Sequence, residues 1–321
     1  MTQQPPFSTT QQVNANLIIT VAMMFFSLGL PLTEELAKRY SVMSLVVIRN
    51  ILAGLFLLGL SLVLERGRFL SRSGIRHAIF SGSTFYILSI ICLFYGVTMA
   101  GAFPAAIILS TVPVVSAILD VIEGYGRVGP RLVLSLMLSL FGGVLASLDM
   151  NSGSMQMSFS FGLGEFLLIV GVYAWVVLSR YVNTHMTEEP RLSGIGLVIL
   201  APGLLLMPIV IGMDIAGVET TRLVRPDGWG MPASDILLVL LLGFVASAGS
   251  MILWFKGSAV LGTTISGLQQ NLVPFFVLLQ VWWLGQIPHL IQILGGVFVI
   301  LGAIVAQIRE LRPRAFTPSS G

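Results

Sequence analysis

FYGVTMAGAFPAAIILSTVPVVSAILDVIEG, residues 94–124, returns 161 positions later as FKGSAVLGTTISGLQQNLVPFFVLLQVWWLG, residues 255–285. Phe94, Gly96, Gly101, Val112, Pro113 and Gly124 match Phe255, Gly257, Gly262, Val273, Pro274 and Gly285. Gly142, Gly143 and Val144 match Gly295, Gly296 and Val297, now 153 positions apart, which fits a shorter connection in the second copy. The shared residues are mostly Gly and Pro, which dictate backbone geometry. The chain therefore reads as an internal duplication with its boundary near residue 150.

Composition fixes the solvent of both copies. Hydrophobic residues make up 55% of the 321, charged residues only 10%, and mean hydropathy is +0.94. A soluble chain carries about 25% charged residues, so this one reads as an all-α polytopic membrane protein with the lipid bilayer as its main partner. The net charge of +3 is spread over short loops and forms no nucleic-acid patch. Cys92 is the only cysteine, which excludes an internal disulfide and any multi-cysteine metal site. Residues 1–12 are polar, lack a positive leader region, and read as a tail ahead of a retained first span.

Ten apolar segments follow. The first five are Val13–Thr33, Ser41–Leu64, the two halves of Ala78–Leu119, and Leu132–Leu148. The 42 uncharged residues of Ala78–Leu119 would form a helix about 63 Å long, against a hydrocarbon core of about 30 Å. They must fold back, and Gly101-Ala102-Phe103-Pro104 is the place for it. The second five are Leu163 to about Tyr181, Leu192–Met213, Ile236–Phe255, and the two halves of Gly257–Ile308, broken at Gly285-Gln286-Ile287-Pro288. The expected units are a tail over 1–12, a five-helix repeat over 13–149, a linker over 150–161, a second repeat over 162–308 and a tail over 309–321. An odd number of spans per copy turns the two copies upside down relative to each other, the inverted-repeat plan of many secondary transporters.

Loop charges orient the chain. With the N-terminus inside, the inner loops and C-terminal tail hold Arg66, Arg68, Arg72, Arg76, Arg127, Arg131, Arg180, Arg191, Lys256, Arg309, Arg312 and Arg314. The outer loops and the linker hold Lys38, Arg39, Arg222 and Arg225, so the split of twelve against four obeys the positive-inside rule. Both termini are then cytoplasmic, the linker is periplasmic, and the expected location is the cell inner membrane.

The residues resemble the drug/metabolite transporter superfamily, EamA type. Arg49-Asn50-Ile51-Leu52-Ala53 resembles the Arg-aromatic-x-x-Ala opening of that family's second helix, with Asn50 where an aromatic is usual. Phe94-Tyr95-Gly96 through Val112-Pro113 resembles its third and fourth helices. Gly162-Leu163-Gly164-Glu165, then Ala174-Trp175 and Arg180, resembles the start of its second unit. Gln269 to Pro274 and Gly295-Gly296 resemble that unit's later helices. Two positions depart from the pattern: Gln286 stands where a Glu is common, and Glu123 precedes Gly124 instead of following it. The resemblance implies export or exchange of small metabolites by alternating access through a central cavity.

Ionisable groups inside spans cost about 2.5 to 3.5 kcal/mol at the membrane centre on insertion scales, so each needs a role. Arg49 either faces the cavity and meets an anionic group or is tied structurally between helices, and the second role carries more weight. Glu165 serves cavity or proton coupling, or it complements the N-terminus of its helix; the helix-end role again weighs more. Asp120 and Glu123 read as a solvated helix end. Neutral polar residues are the better cavity candidates. Gln269, Gln270 and Asn271 are consecutive amides before Pro274, and at about 100° per residue they cannot share one face. Ser110 and Thr111 before Pro113 are their counterparts. Either proline frees a carbonyl one turn earlier. Tyr86, Tyr95, Tyr173 and Trp175 could line the pathway or pack between helices, while Trp282 and Trp283 fit an interfacial belt.

There is no Gly loop with Lys-Ser/Thr for ATP, no His cluster at metal spacing and no soluble domain, so no cofactor is expected. The expected partner is a small-molecule substrate, and the sparse intramembrane charge favours a neutral or zwitterionic one such as an amino acid. Monomer and homodimer remain equally open. A membrane enzyme acting on lipid-linked substrates would need acids, His or Arg clustered at one face, and a scaffold or sensor would need a larger soluble region.

Overall fold

The computed structural model describes residues 8–65, 68, 70–109, 111–123, 129–146, 162–216, 231–283 and 290–307. Among the described residues the regular structure is entirely helical. A chain in lipid must satisfy its backbone within each segment, and helices do so locally. In the first half, α1 (Thr9–Ala37) and α2 (Val42–Leu64) are followed by α3 (Arg72–Ser81), a π-helical stretch (Gly82–Tyr86) and α4 (Ile87–Ala100), which run on as one rod. Then come α5 (Ala102–Leu109), α6 (Val112–Ile122) and α7 (Pro130–Ala146). The second half has α8 (Leu163–His185), α9 (Arg191–Ile215) and α10 (Ala233–Leu240). A π-helical stretch (Leu241–Gly249) joins α10 to α11 (Ser250–Leu261). After α12 (Thr263–Leu268) a 3₁₀ turn (Gln269–Leu272) leads into α13 (Val273–Trp283), and α14 (Leu290–Gln307) ends the described chain.

Six rods among the described residues are long and apolar enough to cross a membrane: Thr10–Ala37, Val42–Leu64, Arg72–Ala100, Leu163–His185, Arg191–Met213 and Ala233–Leu261. Sequence reading ended the last of these near Phe255 at the charged Lys256. The helix instead runs to Leu261, and Gly262 at φ +79° turns the chain. Lys256 is exposed, and a long lysine stem can reach water without ending a helix. Gly101 does the same after α4, at φ +93°, where the fold-back was expected. These two glycines are the repeat partners 161 positions apart, and only Gly takes such angles without a Cβ penalty. The break read at 285–288 lies outside the described residues.

The halves pack reciprocally. α4 lies on α8 as α11 lies on α1, α2 lies on α9, and α7 on α14. A Cβ on Gly54 would stand 2.6 Å from Leu200 Cβ and 2.8 Å from its Cα, while one on Gly203 would stand 2.9 Å from Ile51 Cγ1. Gly54 and Gly203, like Ile51 and Leu200, are 149 positions apart, so these are one contact made twice. Likewise Gly96 admits Leu168 and Gly257 admits Ile19. Small residues at such crossings let two backbones approach where lipid supplies no hydrophobic drive.

Both prolines interrupt their segments. A turn at Thr111 separates α5 from α6 before Pro113, and the 3₁₀ turn separates α12 from α13 before Pro274. Proline offers no N–H and its ring clashes with the carbonyl four residues back. Those carbonyls belong to Leu109 and Gln270, and the latter accepts the Val273 amide.

Polar clamps hold the ends. Asp235, with its side chain 0% exposed, accepts from Arg39 Nη1 at 2.6 Å and from Tyr40 Oη at 2.7 Å, tying the α1–α2 connection to α10. At the opposite end Arg180 of α8 meets Glu123, just past α6, at 2.7 Å. Glu65 accepts from Leu192 N at 2.7 Å and Ser193 N at 3.1 Å, capping α9. Glu189 accepts from Ser71 N at 3.0 Å and from the Ser71 hydroxyl. Those bonds, led by the hydroxyl, hold the Glu189 carboxyl below its ordinary value of 4.5. A depressed folded value means that the clamp stabilises at neutral pH and is lost as pH falls through 4.5 toward the folded value. Protection of the first α3 amides, with exchange measured relative to the intrinsic rate at each pH, should therefore fall below about pH 4.5, and Glu189→Gln should lower it already at pH 7. Equal protection in the two proteins at pH 7 would contradict the clamp.

Candidate functional site

Between the halves lies a pocket with about 570 Å³ of empty space, counting the part that opens to its surroundings. Its walls come from equivalent positions of the two copies. Ser89, Ile90 and Leu93 on α4 face Ser250, Met251 and Trp254 on α11, each pair 161 positions apart. Leu109 pairs with Gln270 at the same spacing, and Phe26 on α1 with Trp175 on α8 at 149. The duplication thus builds the cavity as well as the scaffold. Met23, Gly171, Arg49 and Tyr86 have no partner in the wall, and at the spacings of Arg49 and Tyr86 stand Val198 and Ser247.

A family model described as the EamA-like transporter family matches residues 13–148 and again 162–307. The chain belongs to the EamA-like transporter family. Its members are membrane transporters of the drug/metabolite transporter superfamily, not enzymes. A crystal structure of another protein matches with a TM-score of 0.72 and 18% identity, covering 94% of this chain and 99% of that one. That likeness shows a shared fold. No curated protein matches significantly.

In this EamA-like transporter the sequence-read candidates part company. Arg49, Tyr86, Trp175 and Gln270 line the cavity. Gln270 links the two breaks. With its amide oriented to satisfy both neighbours, its nitrogen donates to the Leu109 carbonyl at 3.3 Å and its oxygen accepts from Trp175 Nε1 at 3.0 Å. The Leu109 carbonyl is the one that Pro113 frees, so an amide from the second copy completes the first. Gln269 turns to α1 instead. It donates to Asn16 Oδ1 at 2.9 Å and accepts from Thr20 Oγ1 at 3.3 Å. Asn271 is buried in the 3₁₀ turn. Gln269 and Gln270 thus reach different partners.

Thr111 donates back to the Ile108 carbonyl at 2.6 Å. Ser110 lies outside the described residues. Pro113 and Pro274 are buried. Tyr95 is half-buried and outside the cavity wall, and Tyr173, 50% exposed, faces outward. Glu165 Oε2 accepts from Gly162 N at 2.9 Å, capping α8. Trp282 is exposed, as an interfacial residue would be. The side chains of Asp120 and Trp283 lie outside the description.

Arg49 is the unusual member. It is 5% exposed and forms no ion pair among the described residues. Its Nη1 donates to Tyr86 Oη at 3.4 Å, and Tyr86 donates to Asn50 Oδ1 at 3.4 Å. Both are long for hydrogen bonds, which centre near 2.9 Å. The guanidinium carbon stands 5.3 Å from the Phe94 ring centroid, a cation–π distance. Its Nε has no partner among the described residues.

Sequence reading missed Ser89, Ser250 and Trp254. Applying the repeat spacing to any cavity residue of one copy would have pointed to its partner in the other. No cavity residue was identifiable in α4 or α11, however, because serines and apolar residues look alike on every face of a lipid-embedded helix.

Proposed function

We propose that this chain is a secondary transporter that moves small polar or amphipathic metabolites, such as amino acids, outward or in exchange. Ten spans form two five-helix repeats of opposite orientation, bounded at 13–149 and 162–308, with both tails in the cytoplasm and the chain in the inner membrane. The observation that carries this reading is the cavity lined by equivalent positions of both copies. A site between two oppositely oriented repeats presents related surfaces to either side, so that rocking one repeat on the other can expose it alternately. The four segments shorter than the six rods, α5–α6, α7, α12–α13 and α14, supply the remaining crossings.

The Asp235–Arg39–Tyr40 clamp and the Arg180–Glu123 pair close opposite ends of the helical assembly. In this reading they are the outer and inner contacts that exchange during the cycle. Purified protein in liposomes should accumulate at least one member of a broad metabolite panel under a proton gradient or against internal counter-substrate. If no member moves under either condition, transport is excluded.

A further inference from the structure

The polar groups of the cavity are mostly used up. The Ser89 hydroxyl donates to the Gly171 carbonyl at 3.0 Å, and that of Ser250 donates to the Ala246 carbonyl, 2.5 Å away. Trp254 Nε1 donates to Ser179 Oγ at 3.3 Å. Trp175 Nε1 and the Gln270 amide satisfy each other and Leu109. What remains is Arg49, with Nε unpartnered among the described residues and Nη1 on a long contact.

Arg49 also stands at a junction. A second, smaller pocket shares Phe26, Arg49 and Leu93 with the first and extends toward Thr33 and Val97, near the ends of α1 and α4. Among the residues lining the two cavities, Arg49 is the one charged side chain. No carboxylate lines either, and the other walls are chiefly aliphatic and aromatic.

A lone cation in a water-poor space selects a compensating charge. Its attraction to an anion there is larger than in water. A fork of guanidinium donors suits a carboxylate. A ligand with two negative charges would leave one unpaired, which is costly in an apolar site. An ammonium group would find no carboxylate, and it would share the space with Arg49.

Resting on the transporter reading, we propose that the site is built for organic monoanions: one carboxylate, held by Arg49, on an aromatic or branched apolar body, with no balancing ammonium. This replaces the expectation of a neutral or zwitterionic ligand such as an amino acid. The apolar body lies against Trp175, Trp254 and Met251. The carboxylate takes the free Nε and displaces the long Tyr86 contact at Nη1, giving the buried guanidinium a counter-charge that the described protein does not supply.

The test is a matched series sharing one ring: phenylpropionate, phenylpropionamide, phenethylamine and phenylalanine. Binding to the detergent-purified full chain is read by ligand-induced thermal shift, with uptake into liposomes in parallel. Phenylpropionate should bind at least about tenfold more tightly than the amide, the scale of one charge-assisted hydrogen bond, and more tightly than the amine or the zwitterion. Arg49→Gln should erase the preference and Arg49→Lys should keep part of it. The wild-type series decides the matter even if the variants do not fold. Equal binding across the series, tightest binding of phenylalanine or phenethylamine, or no shift by any member would overturn the inference. Transport of panel metabolites without preference for monoanions would leave the transporter reading standing and this inference refuted; no transport of anything would remove both.

Discussion

Gly54→Leu is expected to cost about 3 kcal/mol, the upper end for forcing volume into a packed site. A Cβ on Gly54 falls 2.6 Å from Leu200 Cβ, 2.8 Å from its Cα and 2.9 Å from its N. Two of those three atoms are backbone, which cannot rotate away. Relief requires α2 to move off α9, and that crossing joins the two copies. A side chain on Gly59, also on α2, meets nothing within 4 Å. Gly59→Leu is therefore the matched control, adding the same volume where lipid or solvent can receive it. Thermal unfolding in detergent, followed by loss of helical signal, should show a large drop for Gly54→Leu and almost none for Gly59→Leu. Equal behaviour of the two would mean that the α2–α9 crossing is not tight.

The second large effect is expected at Asp235. Its carboxylate is fully buried and accepts from Arg39 and Tyr40, while Arg39 keeps 29% of its side chain exposed. Removing one member of a buried charge pair typically costs 3 to 5 kcal/mol, and the partial exposure of Arg39 places Asp235→Ala near the low end, at about 3 kcal/mol. Asp235→Asn keeps the volume and one acceptor and should lose less. The neighbouring bonds of Arg39 and Lys38 to Glu35, at 2.8 and 2.9 Å, lie on the surface and contribute little. Glu35→Gln should accordingly leave the unfolding temperature within about a degree of wild type, measured in the same assay. If Asp235→Ala unfolds no earlier than Glu35→Gln, the clamp holds nothing together.

How much of this was legible beforehand depends on what lipid hides. Gly and Pro carry their geometry in any solvent, so the fold-back at Gly101 and the interruptions before Pro113 and Pro274 could be traced from the chain alone. Helix ends marked by a single charge could not, since Lys256 reaches water from inside a continuing helix. The site was half legible. Gln270 stood out because an amide in hydrocarbon needs partners, but which of three adjacent amides faces the cavity depends on the register of the 3₁₀ turn, which Pro274 marks without fixing. Tyr173 and Trp175, two residues apart, looked equivalent and point to different surroundings. The weight placed on a structural partner for Arg49 assumed a carboxylate within reach, and none pairs with it among the described residues.

Alternating access requires that the cavity be reached from either side of the membrane. Cys92 is the only cysteine and is buried, so Cys92→Ala gives a thiol-free background. Ser89→Cys then places one thiol of nearly native size in the cavity wall. A membrane-impermeant thiol reagent applied to right-side-out and, separately, to inside-out vesicles should label that cysteine from both faces, each time more slowly than a loop cysteine such as Lys38→Cys. Labelling from one face only, under every substrate and gradient condition, would contradict a site that opens alternately between two inverted repeats.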